Sequence, residues 1–183
     1  MNVLILNGAR NPEGQTAAAV AALAEGAQAD GAAVEQQFLP GLHLERCRQC
    51  NDDGWGICRS QGQCGIEDDF AALADQVASA DAVVFATPVY FSDLSESLRA
   101  FLDRLRRTCT HPAGRERVEG KPAVGVCVAG GGGGGAPQCT ASLSKVLGTC
   151  GFECADMVAV RRQNLEAKLP RLRAAGQWLA GLG

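Results

Sequence analysis

The chain has 183 residues, a net charge of −3, and 46% hydrophobic and 20% charged residues, enough length for one domain with a sizeable core. It holds no basic tract of five or more residues, which argues against a nucleic-acid partner. No apolar run reaches the ~18 residues of a membrane span, and Met1-Asn2 enters a strand with no secretion signal, so a cytoplasmic protein without a membrane segment is expected.

Strand-like and helix-like runs alternate, the pattern of a parallel sheet covered on both faces. Val3–Leu6 reads as a strand, Asn7–Gln15 as a loop, Thr16–Ala29 as an Ala-rich helix and Ala33–Phe38 as a second strand. Leu39–Ile66 is an irregular insert rich in Cys, Gly and Asp. Asp68–Ala80 reads as a helix, capped by Asp68 or Asp69. Ala82–Ala86 is a continuous apolar run, a strand buried on both faces, which Thr87-Pro88 ends. Ser92 or Asp93 is expected to cap the next helix, which sets Leu94, Leu98, Phe101, Leu102 and Leu105 on one face. That helix runs to about Arg107, and its run Arg104–Arg107 reads as a helix end enriched in cations. Thr108–Gly120 is a polar loop, Lys121–Ala129 a fourth strand, and six glycines follow at Gly130–Gly135. Pro137 starts a helix that Gly151 ends, and Cys154–Val160 is a fifth strand. Asn164 is expected to cap a last helix carrying Leu165, Leu169, Leu172 and Leu179. Five strands and five helices in this order predict a single α/β domain over residues 1–183: a flavodoxin-like, doubly wound, five-stranded parallel sheet with helices on both faces and a cysteine-rich insert at about 40–66.

Three loops then fall at the carboxyl edge of the sheet, where open α/β sheets bind ligands. The first, with Arg10, Gly14, Gln15 and Thr16, leads into a helix N-terminus, whose N–H groups and dipole favour a phosphate. It is neither an ATP-type loop, since five residues separate Gly8 from Gly14 and Gln15 follows, nor a dinucleotide fingerprint, since the middle glycine is missing; a monophosphate fits better. The second, Pro88, Val89, Tyr90 and Phe91, is an aromatic turn that suits a flat ring. The third is the glycine run, with Gly130, Gly131, Gly132 and Gly133, which suits a close backbone approach to a ligand edge. Together they predict phosphate, ring-face and ring-edge contacts to one FMN.

These residues resemble the NAD(P)H-dependent FMN reductase group of flavodoxin-like proteins, and especially its iron–sulfur flavoprotein branch, from Val3 to about Phe152. Thr87-Pro88-Val89-Tyr90 and Leu102-Asp103-Arg104 match the family's second motif. In the first motif, N-G-S-P-R-x-x-G-N-T, Asn7, Gly8, Gly14 and Thr16 match, while Ala9 and Gln15 replace the serine and asparagine. The resemblance implies an FMN-dependent oxidoreductase that takes electrons from NAD(P)H or a reduced, ferredoxin-like carrier and gives them to a quinone, a flavin, dioxygen or another small acceptor. It places the flavin phosphate on Arg10–Thr16 and the ring against Pro88–Phe91 and the glycines. It also implies a homodimer or homotetramer with FMN near the interface, a place the apolar helix Leu94–Leu105 suits. The flavin carries the hydride chemistry, so no catalytic side chain is assigned, and the two histidines, His43 and His111, read as loop residues.

Nine cysteines, an odd number, argue against a disulfide scaffold. Cys109, Cys127, Cys139, Cys150 and Cys154 sit in core-like segments and read as small hydrophobes. Cys47, Cys50, Cys58 and Cys64 form C-x2-C-x7-C-x5-C, four thiolates that suit a [4Fe–4S] cluster or a structural zinc, with free or redox-paired thiols as a third reading. Iron–sulfur flavoproteins carry C-x2-C-x2-C-x5-C, so the outer spacings agree and the middle one is longer. Nearby Asp52, Asp53, Asp68 and Asp69 add carboxylates that a low-potential cluster does not need. Two other classes fit the same residues: a flavodoxin-like electron carrier, and a metal or redox sensor without enzymatic activity, which the Ala9 and Gln15 departures favour.

Overall fold

A computed structural model describes residues 1–182. The strands β1 (Asn2–Asn7), β2 (Ala33–Phe38), β3 (Ala82–Pro88), β4 (Pro122–Ala129) and β5 (Glu153–Arg161) form one sheet in the order β2-β1-β3-β4-β5, with every pairing parallel. This is the flavodoxin-like order, whose chain reversal lies between β1 and β3. Seven α-helices surround it: α1 (Gln15–Ala29), α2 (Ile57–Gln61), α3 (Phe70–Ser79), α4 (Glu96–Thr108), α5 (Pro112–Arg115), α6 (Ala136–Cys150) and α7 (Leu165–Ala180). No helix among the described residues is long and apolar enough to cross a membrane.

Strand side chains alternate between faces, so each central strand feeds two cores. Leu4, Leu6, Val83 and Phe85 pack with α3, α4 and α6 through Phe70, Phe101, Leu102, Leu143 and Leu147. Val3, Ile5, Val84, Val124 and Val126 pack on the other face with α1 and α7 through Val20, Leu23, Leu172 and Leu179. Those two helices cross at glycines: a Cβ on Gly26 would stand 2.0 Å from the Arg173 carbonyl, and one on Gly176 would stand 2.0 Å from that of Leu23. Gly26 therefore lies inside its helix for packing and does not break it.

Several local expectations are corrected. The two extra helices, α2 and α5, are of five and four residues, too short for an apolar period to show. Helix α4 begins after Ser95, not after Ser92 or Asp93. Phe91 and Ser92 instead occupy a left-handed turn, and Asp93 Oδ1 accepts from the Leu94 N–H at 2.9 Å. Asp69 and Asn164 hold the N-cap positions of α3 and α7 without capping them through their side chains, and it is Asp68, the other expected cap, whose Oδ1 accepts from the first N–H of α3, that of Phe70, at 3.1 Å. The Asn164 Oδ1 turns back to the Arg161 N–H at 2.8 Å. Gly151 ends α6 at φ +110°, as its sequence position implies. The apolar face of α4 is spent inside the protein, with Leu98, Phe101 and Leu102 all 0% exposed, so it offers no subunit interface. Cys109, Cys127, Cys139 and Cys150 are buried as expected, while Cys154 is only half-buried.

Candidate functional site

The ends of β1, β3 and β4 are stitched together by short local bonds. The Gly8 N–H donates to the Ala86 carbonyl at 2.8 Å, and the Val89 N–H to that of Val128 at 3.0 Å. The Ala9 N–H bonds Asn7 Oδ1 at 2.9 Å, an Asx turn that shapes the first loop. Thr87, wholly buried, accepts from the Ser95 N–H at 2.9 Å and so ties the strand end to the start of α4. Gly8 packs against that knot, since a Cβ there would lie 2.4 Å from Ser95 Oγ.

Above these ends lies an open pocket of about 630 Å³. Arg10, Gly14, Gln15 and Thr16 border it on one side. Gly14 is the N-cap of α1 and no side chain caps that helix, so its first N–H groups are left for a ligand. Pro88, Val89 and Tyr90 border it at and just past the end of β3, and Gly130 and Gly131 just past the end of β4. Phe91, Gly132 and Gly133 do not border it. Ala9, Asn11 and Gly134, inside the two predicted loops, also line it, as do Val128 and Ala129, which sequence reasoning missed.

The aromatic turn is a two-residue hairpin: Tyr90 N–H donates to the Asp93 carbonyl at 3.0 Å and Asp93 N–H to that of Tyr90 at 2.9 Å. Phe91 and Ser92 between them have φ +49° and +66°, a costly conformation for side-chain-bearing residues. Phe91 is fully exposed and Tyr90 is 43% exposed. The glycine run leans on this turn: Gly135, at φ +82°, would set a Cβ 2.7 Å from Ser92 Cα. Gly130, Gly131, Gly132 and Gly134 would each put a Cβ into open space.

The cysteine insert forms a second cavity of about 250 Å³, bordered by Cys47, Cys50, Cys58 and Cys64. Among the described residues no three Cys, His, Asp or Glu groups stand close enough to hold a single metal ion. Two arginines of α4 clamp the insert. Arg104, 2% exposed, binds Asp68 through both terminal nitrogens, at 2.6 and 2.8 Å, and donates Nε–H to Cys64 Sγ at 3.3 Å. Arg107 stacks over Trp55 at 4.0 Å and bonds the Gly54 carbonyl. The Arg104–Arg107 run is thus a set of anchors in part, not simply an exposed helix end. Burial pushes the Asp68 carboxyl up, but hydrogen bonds from Arg104 and from the Glu45 and Phe70 N–H groups outweigh it and hold the group below its ordinary value. Asp69 likewise serves the backbone, accepting from the His43 N–H at 2.7 Å, and Asp53 accepts from Trp55 at 3.0 Å. Elsewhere Cys127 and Cys150 have thiols pushed up by hydrogen bonds with Cys139 and Cys109 and by burial, so they stay protonated packing groups.

The model of a family described as NADPH-dependent FMN reductase matches residues 1–164. An iron–sulfur flavoprotein of Methanocaldococcus jannaschii is 30% identical over 131 residues, 72% of this chain and 65% of that protein. Another, of Methanosarcina thermophila, is 29% identical over 85 residues, 46% of this chain and 42% of that protein, so the chain spans less than two thirds of these relatives' length. Among solved structures, the NAD(P)H:quinone oxidoreductase of Methanothermobacter marburgensis superposes with a TM-score of 0.70 at 22% identity, over 98% of this chain and 96% of that one. A flavodoxin from the domain Archaea superposes with a TM-score of 0.64 at 11% identity, over 100% of this chain and 98% of that one. Both confirm the flavodoxin-like fold. The chain belongs to the NADPH-dependent FMN reductase family.

Proposed function

We propose, from membership of the NADPH-dependent FMN reductase family, that this chain is an NAD(P)H-dependent oxidoreductase that holds FMN in the pocket at the strand ends. The observation that carries this reading is the convergence of three sequence-distant loops on one pocket at the chain reversal of the sheet. Its volume of about 630 Å³ lies within the ~300–1,000 Å³ of small-molecule sites. The donor set fits a flavin monophosphate. The uncapped start of α1, the Thr16 hydroxyl and the Arg10 guanidinium would hold the phosphate. Pro88, Val89 and Tyr90 would lie against the ring, and Gly130 and Gly131 would bring backbone to its edge. Bound there, FMN supplies hydride acceptance and one- or two-electron delivery. The chain's own work is to fix the ring between the Tyr90 turn and the glycine run and to shield it from water on the sheet side. Electrons would come from NAD(P)H or a reduced, ferredoxin-like carrier and go to a quinone, a flavin or another small acceptor. The fully exposed Phe91 beside the pocket favours a second subunit over it, in a homodimer or homotetramer. A reducing cytoplasm would keep the free thiols reduced.

The cysteine cavity favours a [4Fe–4S] cluster held by Cys47, Cys50, Cys58 and Cys64. A zinc needs four sulfurs at ~2.3 Å from one point, whereas a cluster spreads its thiolates over several irons. Four thiols border one cavity, and relatives described as iron–sulfur flavoproteins favour the second arrangement. The cluster would supply single-electron transfer.

An absorption spectrum with iron and sulfide assays on protein purified without oxygen tests both parts. Flavin bands over a broad brown shoulder, with about four irons per chain, are expected. Flavin bands without iron after anaerobic reconstitution would remove the cluster. Failure of the apoprotein to take up FMN would remove the flavin pocket.

A further inference from the structure

The largest fully buried side chain in the protein is not apolar but Arg104. Its terminal nitrogens are accounted for by Asp68, by the Glu45 carbonyl at 3.1 Å and by the Ile66 carbonyl at 3.5 Å. Its guanidinium lies over Phe70 at 4.2 Å. Those contacts explain a structural anchor, but they leave the Nε–H, which is directed at Cys64 Sγ at 3.3 Å. The other two arginines bordering the cavity point elsewhere: Arg107 at Trp55 and Gly54, Arg48 at the Glu45 carboxylate.

We propose that Arg104 is a positioning residue for the four-thiolate centre: its Nε–H fixes Cys64 as a ligand and raises the reduction potential of the group those thiolates hold. The inference rests on the cluster reading above. Arginine stays charged in a protein, so the donor is permanent. A donor on a thiolate ligand withdraws negative charge from it and so favours the reduced, more negative state. Reduction adds one electron to the centre, taken from a reduced one-electron carrier; no bond is made or broken at Arg104 and its proton stays on Nε.

The test compares anaerobically reconstituted wild type with Arg104→Lys. Lysine keeps a cation for Asp68 but has no Nε–H at that place. Full FMN and iron content, an unmoved flavin potential and a more negative cluster midpoint are expected. At the potential where the wild-type centre is half reduced, the reduced-to-oxidised ratio should fall about tenfold, a shift of about 59 mV for a one-electron couple. An unmoved cluster midpoint at full iron content would overturn the proposal, because a merely structural role lowers the unfolding midpoint without moving a potential. If Arg104→Lys does not fold, wild type grown with guanidino-15N arginine decides instead: a 15N coupling to the reduced centre in electron–nuclear double resonance supports the contact, and its absence overturns it. Wild type that takes up no iron would overturn the cluster reading and this inference together, while its flavin bands would still report on the pocket separately.

Discussion

At the carboxyl ends of β1, β3 and β4, the pocket is shaped by the loops that leave the strands: glycines, a proline and the uncapped start of α1 stand among side chains such as Arg10, Thr16 and Tyr90. Around the cysteine cavity the wall is held by side chains that reach across the fold, with Arg104 meeting Asp68 over a separation of 36 residues and Arg107 meeting Gly54 over 53. A cradle of loops gains its shape from strand geometry, which the whole sheet supports. A side-chain clamp concentrates its stability in a few buried pairs, so the two regions should respond to substitution differently.

The largest effect is expected from breaking the clamp. Both side chains of the Arg104–Asp68 pair are at most 1% exposed. Asp68→Ala leaves a buried guanidinium without its counter-ion, which costs about 3–5 kcal/mol. Urea denaturation should show that loss, with iron uptake falling alongside it. A loss below 1 kcal/mol would show that the insert is not held as described. The same pair gives a pH signature. The folded Asp68 carboxyl sits below its ordinary value. Its stabilising contribution is therefore complete above the usual aspartate pKa of about 3.9 and disappears as pH falls through the lower folded value. Thermal melts from neutral pH into acid should show wild type losing stability at the acid end. Asp68→Asn should start lower and lack that component.

This contrast also explains what was legible in the sequence. The strand order and the pocket could be read because continuous apolar runs mark buried parallel strands and because Gly14, Pro88 and Gly130 fall where those strands end. Asp68 carries no such signal, and Arg104 stands out only as the last residue of the Leu102-Asp103-Arg104 motif, which does not tell what it touches. Each has an ordinary local reading, as a helix cap and a helix-end cation, and only the folded chain brings them together. Phe91 turns away from the pocket for a related reason: the left-handed turn at Phe91-Ser92, which exposes it fully, carries no glycine to announce it.

The pocket should yield in smaller steps. Gly135→Ala places a side chain at φ +82° and 2.7 Å from Ser92 Cα. The conformation alone costs about 1–2 kcal/mol, and the aromatic turn must shift to admit the methyl. Weaker FMN binding is expected, with the Asp68-dependent acid transition unchanged. Thr16→Val removes one hydroxyl from the first loop and should cost about 0.5–1.5 kcal/mol, roughly twofold to thirteenfold in FMN Kd by fluorescence titration. Tyr90→Ala should cost a similar amount through lost ring contact. Unchanged affinity in both variants would sink the assignment of this pocket to FMN.

The smallest effect separates two arginines that meet the same residue. Arg104 bonds the Glu45 carbonyl from inside the protein, and Arg48 bonds the Glu45 carboxylate at 2.7 and 2.9 Å from outside, with 58% of its side chain exposed. By distance alone the outer pair looks at least as strong. Water screens it, however, and holding two long side chains together costs entropy that the attraction barely offsets. Arg48→Ala should therefore leave the urea midpoint unchanged within error and should not move the cluster potential, since Arg48 points at Glu45 and not at a sulfur. A midpoint shift in Arg48→Ala comparable to that in Asp68→Ala would mean that charge around the cavity, not burial of one pair, holds the insert. The division between a cradle of loops and a side-chain clamp would then need redrawing around the whole arginine set.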